Sequence, residues 1–346
     1  MNSQDILFSD NFKEVKKQEP PNEYPWVEKY RPKLLKDVVE QSSVVQLLKV
    51  SIINKNMPHL LLFGPPGTGK TSVILAAAKE MYGEKLYKSR VIELNASDDR
   101  GIVAVRQKIK LFARASISKI DDAPSYKLII LDEADMMTTD AQSAMRKIIE
   151  DNASVTRFCF ICNYIDKITE PIKSRCVTVK FTPLDPELVT KRLIYIAEQE
   201  KVNISHNNIS MIAKLSNGDL RKSIIYLQNI KHYITFSKDT VVSKKVIAKY
   251  IGHETDDFYL TVLNACKTQT VFNIVKLAKN IYADAIMLDV FLAKVCQLII
   301  SSDINSIIKS NILINMGSIQ KRLIDGGDEL LELTNFLLII HKYFHL

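Results

Sequence analysis

The hydrophobic and polar positions divide the chain into two regimes. Up to about residue 182, short apolar runs alternate with stretches of helical period. The runs are His59-Leu60-Leu61-Leu62-Phe63, Val91-Ile92-Glu93-Leu94-Asn95, Lys127-Leu128-Ile129-Ile130-Leu131, Arg157 to Asn163 and Val177-Thr178-Val179-Lys180-Phe181. Runs this short and this apolar predict strands covered on both faces, as in a parallel sheet. Helices are predicted from Ser72 onward, after Ser97-Asp98-Asp99, and from Thr139 to Glu150. The alternation predicts a doubly wound α/β domain. Ahead of it, Asp37 to Lys55 reads as a helix, and Trp26 to Pro32 reads as an extended segment ending at a proline. Residues 1–22 lack periodicity and read as a flexible leader.

From Pro183 the strand pattern stops. Pro186 to Glu200, Ser205 to Leu215 and Asp219 to Lys231 have helical period, with Asn217-Gly218-Asp219 as a stop followed by a cap. Asp256 to Leu346 also reads as helices, broken near Ser301-Ser302-Asp303 and Asp325-Gly326-Gly327-Asp328. The predicted organisation is a leader (1–22), an α/β domain (23–182), a small helical domain (183–250) and an all-α domain (251–346). The run Phe336-Leu337-Leu338-Ile339-Ile340 is expected either in bundle packing or in an obligate subunit interface.

Composition adds limits. At 346 residues, 47% hydrophobic and 25% charged, the chain is that of a multi-domain globular protein, and no apolar run approaches the ~20 residues of a membrane helix. Met1 to Asp10 carries acids and no basic residue, which argues against a signal or transit peptide. Five cysteines without framework spacing suit a reducing compartment, cytosol or nucleus. Cys159 and Cys162 form a C-x-x-C inside an apolar run, without a second pair, so buried strand positions are expected rather than a zinc site. The net charge is +8, yet residues 251–346 hold 8 Lys+Arg against 10 Asp+Glu, leaving +10 on the first 250. A basic front predicts a polyanionic partner there and protein partners for the back.

The chemistry centres on Gly64-Pro65-Pro66-Gly67-Thr68-Gly69-Lys70-Thr71, a G-x-x-x-x-G-K-[ST] loop between a predicted strand and a helix that opens at Ser72. In that context the glycines let backbone N–H groups wrap phosphates at a helix N-terminus. Lys70 would reach the β- and γ-phosphates of ATP, and Thr71 would hold Mg²⁺. Asp132 ends the third apolar run, where a second Mg²⁺ contact belongs, and Glu133 beside it can polarise water. Asn163 ends the fourth run, where a γ-phosphate would lie. The helix after Ser97 carries Arg100, Arg106, Lys108, Lys110 and Arg114, then Lys119, with no acidic residue between Arg100 and Lys119. Arg106, Lys110 and Arg114 share one face, a repulsive arrangement that points to an external anion. Arg175 has only Lys173 and Lys180 as near charged neighbours downstream of Glu170, which predicts a guanidinium without a local partner.

These motifs together resemble one family: the small ATPase subunits of the eukaryotic sliding-clamp loader, replication factor C, within the AAA+ class. The resemblance runs over about residues 24–346. Its carriers are Trp26-Val27-Glu28-Lys29-Tyr30-Arg31-Pro32, the phosphate loop, Glu93 to Gly101, Leu131-Asp132-Glu133-Ala134-Asp135, Ile161-Cys162-Asn163, Ser174-Arg175-Cys176 and Gly218-Asp219-Leu220-Arg221. Lys88-Ser89-Arg90 and Arg157-Phe158-Cys159 narrow it to one subunit type. It implies a RecA-like AAA+ domain, a helical lid and a helical collar joining five subunits. It also implies that Val27, Tyr30 and Arg31 lie near the adenine, that Asn163 and Arg221 are nucleotide sensors, and that Arg175 is an arginine finger for a neighbouring subunit. Arg100, Arg106 and Lys167 would follow the DNA backbone, whereas Lys110 and Arg114 have only the charge stripe behind them. Implied partners are the other loader subunits, the sliding clamp and primer-template DNA, in the nucleus. One departure is Lys222, where many relatives carry arginine. A DEAD-type helicase would share Asp132 to Asp135, but the helices after 183 leave no room for a second RecA-like domain. An AAA+ remodeller, or a loader acting in a related checkpoint complex, stays open as the alternative.

Overall fold

The computed structural model describes residues 24–38, 41–96, 102–115, 123–237, 246–248, 254 and 256–345, with backbone alone for 42 and 102–106. The leader, Ser97 to Gly101 with Arg100 among them, and Lys119 lie outside the described residues, as does the side chain of Arg106. Five parallel strands form one sheet: β1 (Leu60–Phe63), β2 (Val91–Asn95), β3 (Lys127–Asp132), β4 (Thr156–Cys162) and β5 (Val177–Lys180), in the order β2-β3-β4-β1-β5. Leu60 is in register with Cys159 on one side and Val177 on the other.

The period of two along each strand sorts its side chains onto two faces. Leu60, Leu62, Leu128, Ile130, Cys159 and Ile161 enter one core, shared with α2 (Ser42–Ile53) and α3 (Lys70–Arg90). Leu61, Ile129, Leu131, Phe158, Phe160 and Cys162 enter the other, against α4 (Ile102–Arg114), α5 (Thr139–Asn152) and α6 (Glu170–Lys173). Cys159 and Cys162 therefore face opposite sides of the sheet, and both are buried. They cannot share a metal ion.

Two local expectations change. Trp26 to Pro32 is not extended throughout: Trp26–Lys29 is one helical turn, α1. The turn forms because Trp26, 2% exposed, is drawn into a helical core, and it stops before Pro32, which biases Arg31 away from helix. The helix expected over Asp37 to Lys55 is split into a 3₁₀ turn, Leu35–Asp37, and α2, entered through a left-handed Gln41. Beyond β5, the regular elements among the described residues are helices, as expected. α7 (Pro186–Gln199), α8 (His206–Leu215) and α9 (Leu220–Ser237) pack around Leu193, Ile209, Ile212 and Leu227, and Trp26 is a member of that core.

The C-terminal bundle holds α10 (Asp256–Thr268), α11 (Val271–Ala283), α12 (Leu288–Ser301), α13 (Ser306–Ile324) and α14 (Glu329–Phe344). Phe336, Leu337 and Ile340 are buried in the bundle's own core, so the greasy run at 336–340 is chiefly intramolecular packing. The exposed apolar side chains lie elsewhere, Ile307 and Ile314 on α13 among them. No helix among the described residues is long and apolar enough to cross a membrane.

Trp26 thus fastens the start of the α/β region to α7–α9. Trp26→Ala should leave a cavity costing about 3–5 kcal/mol in that layer. Native-state hydrogen exchange should show faster opening of α7–α9 while amides of β1 and β4 keep their protection.

Candidate functional site

One cleft lies at the C-terminal ends of β1, β3 and β4 and is roofed by α7 and α9. The phosphate loop forms its floor. Gly64 has φ 145°, and a Cβ there would meet the Phe181 carbonyl oxygen at 2.3 Å. Gly67 has φ 71°, and a Cβ there would lie 1.8 Å from Asp219 Oδ1. Both positions need glycine: one to turn against the sheet edge, the other to let the start of α9 approach. The Leu220 N–H donates to the Gly67 carbonyl at 3.2 Å.

Lys70 opens α3 and is buried. Its Nζ donates to the carbonyls of Gly64 and Pro65, both at 2.8 Å, and to Asn163 Oδ1 at 2.9 Å. Burial pushes the ammonium below its ordinary pKa, and Asp132 pulls the other way. Thr71 Oγ1 donates to Asp132 Oδ2 at 2.7 Å. Two hard oxygens side by side at the mouth of a phosphate loop are a donor set that suits Mg²⁺. Glu133 is exposed in the cleft and has φ 53°, ψ 38°, a left-handed conformation unusual for a side chain of its size. It is held by its own N–H, which donates to Asp132 Oδ1 at 2.8 Å. Strain of this kind collects where a side chain must be aimed.

Of the residues expected around the nucleotide, Val27, Tyr30, Arg31, Pro66, Gly67, Thr68, Gly69, Lys70, Thr71, Ser72, Asp132, Glu133, Asn163 and Arg221 line the cleft. Gly64 and Pro65 stand behind it and contribute carbonyls to Lys70. Arg175 is not part of the lining. The expectation that it has no local partner is overturned. Its Nε donates to Glu150 Oε1 at 3.0 Å, a second guanidinium nitrogen reaches the same oxygen, and Nη1 donates to the Pro171 carbonyl at 2.7 Å. Glu150 lies 25 residues away on α5, so no count of neighbouring charges could find it. Hydrogen bonds from Arg146 and Arg175 hold the Glu150 carboxyl below its ordinary range. Lys110 and Arg114 are exposed on α4, and Lys167 is exposed with its Nζ 5.3 Å from the Tyr164 ring centre.

Several residues were not singled out from the sequence. Asp135 is 8% exposed, and its Oδ2 accepts the N–H groups of Asn163 and Tyr164, each at 3.2 Å. Gln142, 2% exposed, donates to the carbonyls of Met137 and Lys167 and accepts the Thr169 N–H at 2.7 Å. Between them they set the loop that carries Asn163 and Lys167. Arg192, Leu220 and Ile224 enter the cleft from α7 and α9. Asp135 had a readable signal, an acid at the end of a strand that already bears two. Arg192 and Ile224 had none, because only the fold brings those helices to the loop.

Comparison with known proteins gives three matches along the chain. The AAA family, ATPases associated with various cellular activities, matches residues 60–184, the RCF1/5-like AAA+ ATPase lid domain matches 191–231, and the replication factor C C-terminal domain matches 257–338. Replication factor C subunit 2 of Schizosaccharomyces pombe is 40% identical over 324 residues, 92% of this chain and 94% of that one. Replication factor C subunit 4 of Homo sapiens is 40% identical over 315 residues, 90% of this chain and 86% of that one. This chain belongs to the replication factor C family. It is an AAA+ ATPase, with a nucleotide-binding domain of that class. Among solved structures, the RuvB branch migration motor of Thermotoga maritima aligns with a TM-score of 0.52 at 18% identity, over 69% of this chain and 80% of that one. That likeness establishes the AAA+ fold alone.

In this replication factor C chain the lid, α7–α9, closes on the phosphate loop through Asp219 and Leu220, while Asp135 sets the loop bearing Asn163. Asp135→Ala should release the N–H groups of Asn163 and Tyr164. Turnover should fall about 10-fold or more while nucleotide affinity changes little, because the loss falls on Asn163, the partner of Lys70, and leaves the phosphate loop itself unchanged. Steady-state kinetics beside equilibrium nucleotide binding separates the two.

Proposed function

We propose that this chain is one ATPase subunit of a hetero-pentameric clamp loader, which uses ATP to open a sliding clamp and place it on primer-template DNA in the nucleus during replication and repair. Membership of the replication factor C family supports this. The observation that carries it is the convergence of Lys70, Thr71, Asp132, Glu133 and Asn163 on one cleft, with Arg221 facing them from the lid. The relatives named above as subunit 2 and subunit 4 favour the same subunit type as the segments Lys88-Ser89-Arg90 and Arg157-Phe158-Cys159.

The roles follow from placement. Backbone N–H groups of the phosphate loop and the α3 N-terminus hold the triphosphate, and Lys70 turns from the loop carbonyls toward its β- and γ-oxygens. Mg²⁺, held by Thr71 and Asp132, would neutralise charge on those oxygens. Glu133 accepts a proton from the attacking water, and Asn163 orients that water or the γ-phosphate. Arg221 carries the state of the phosphates to the lid. Val27, Tyr30 and Arg31 wall the adenine end. On the outer surface, Lys110, Arg114 and Lys167 offer cations to a phosphate backbone, with Arg100 and Arg106 near them in sequence. The apolar side of α13 at Ile307 and Ile314 suits packing against a neighbouring subunit's collar.

ATPase activity of the assembled complex should rise with primer-template DNA plus clamp, and rise less with DNA alone. Glu133→Gln should keep ATP binding and remove most turnover at this site, because the base is lost while Lys70 is intact. The other sites must be disabled so that this one is read. A rate indifferent to DNA and clamp would overturn the clamp-loader reading, and normal hydrolysis by Glu133→Gln would remove Glu133 from the reaction.

Arg175 lies outside its own cleft and is held at the edge of the α/β domain by Glu150, a placement suited to a neighbour's γ-phosphate. Arg175→Ala should leave this chain's ATP affinity intact and lower hydrolysis at the adjacent subunit by about 10³-fold. The measurement is single-site hydrolysis in complexes where only one subunit retains its phosphate-loop lysine. A defect confined to this chain's own site would refute action in trans.

A further inference from the structure

The wall of the cleft at Val27, Tyr30 and Arg31 is built from the segment ahead of the sheet, which it meets through the charge of Arg31 acting on Glu93 of β2. It is fastened to the lid, and the fastening converges on Glu200. This residue follows the last turn of α7, and its side chain is only 8% exposed. Oε1 accepts Lys29 Nζ at 2.5 Å and the Tyr30 hydroxyl at 2.6 Å, and Oε2 accepts Lys231 Nζ of α9 at 3.1 Å. Burial works against ionisation of Glu200, but the hydrogen bonds from Lys29, Tyr30 and Lys231 outweigh it and bring the carboxyl down to about 2.

The same short segment is gripped at other points by the same two helices. Arg192 Nη2, itself in the cleft lining, donates to the Tyr30 carbonyl at 3.0 Å. The Trp26 N–H donates to Gln228 Oε1 at 3.1 Å, and Lys231 Nζ lies 5.1 Å from the centre of the Trp26 ring. The Tyr30 ring stands edge-on between Trp26 and Tyr195, at 6.4 and 6.5 Å. Tyr30 is thus fixed by its hydroxyl, its ring and its carbonyl, and each fixing point on the body of the protein belongs to α7 or α9.

We propose that Glu200 is a positioning residue for the nucleoside end of the ATP site: it clamps residues 26–30 to the lid, so that this part of the wall travels with α7 and α9 rather than with the phosphate loop. The inference rests on the reading of the cleft as the ATP site. Nucleoside and phosphates are then gripped by different bodies, and lid closure over the phosphates through Arg221 brings the nucleoside wall with it. A carboxylate suits this use because its two oxygens accept two ammonium groups and a hydroxyl together; a glutamine there would put an amide N–H₂ toward one ammonium and remove the negative charge that both lysines share.

The test uses two ligands on the full chain. ATP needs the nucleoside wall as well as the phosphate grip, whereas inorganic tripolyphosphate needs only the loop and Arg221. Glu200→Gln should weaken ATP binding about ten-fold or more, the loss carried by one charge-assisted hydrogen bond. Tripolyphosphate affinity should stay within about two-fold, as expected for a site distant from the change. Lys231→Met, which leaves Lys29 and Tyr30 on Glu200, should give the same selective loss at smaller size and serves if Glu200→Gln does not fold. A merely structural clip would lower the melting temperature without moving the ratio of the two affinities, and that result overturns the proposal. Equal weakening of both ligands overturns it too. If the unaltered chain binds tripolyphosphate no better than its Lys70→Ala variant and does not bind ATP, the reading of the cleft itself fails, and this inference with it.

Discussion

Lys70 is an ammonium group buried at the start of a helix, where the field of the helix is already positive. Such a charge persists only if oxygen atoms surround it. The loop supplies two carbonyls, from Gly64 and Pro65, and Asn163 supplies a third oxygen from the neighbouring strand. That need orders much of the site. The loop must turn tightly enough to aim two carbonyls inward, so Gly64 sits against Phe181 with no room for a side chain. β4 must lie beside β1, and its end must be fixed, which is the work of Asp135. In the proposed ATP site, a triphosphate would offer the same ammonium better partners than neutral carbonyls.

The sheet order puts these groups together. With β1 between β4 and β5, and β3 beyond β4, the loop after β1 faces the acids after β3 and the amide after β4 across a few ångströms. Strand ends of a parallel sheet all point one way, so a single edge collects chemistry from residues almost a hundred positions apart. The helices of the lid complete the cleft from above. Their contact with the loop is close enough that Asp219 would collide with any Cβ on Gly67. Lid position and loop shape are therefore mechanically linked, and the attachment of residues 26–30 to the same helices extends that link to the far end of the cleft.

Arg175 is held by partners that lie far from it in sequence or on the backbone. Its bonds to Glu150 and Pro171 fix the guanidinium at a surface edge, away from its own chain's cleft, at an exposed site where an ion pair is worth little. In the proposed trans role, that pair would give way to a phosphate oxygen of the nucleotide bound by a neighbouring subunit. The collar shows the opposite logic. Arg322 and Glu332 form a two-point pair, at 2.6 and 2.7 Å, tying α13 to α14, while Ile307 and Ile314 stay outside the bundle's own core.

The strands and most of the helices were legible in the sequence because each rests on a local period. Runs such as Leu128 to Leu131 are apolar at every position, and only a sheet covered on both faces satisfies that. Lys70, Thr71, Asp132, Glu133 and Asn163 were legible because phosphate chemistry demands them at strand ends, next to signals already strong. Pairings between distant elements were not legible. Glu150 with Arg175, Asp135 with the backbone of Asn163, and Glu200 with Lys29, Tyr30 and Lys231 each join segments whose spacing carries no period. The turn at Trp26–Lys29 was misread as extended for the same reason: four residues are too few to show a helical repeat, and what curls them is the burial of Trp26 in a core built by α7–α9. Local chemistry determined which groups the protein carries to its strand ends; the packing of one layer on another decided what each of them touches.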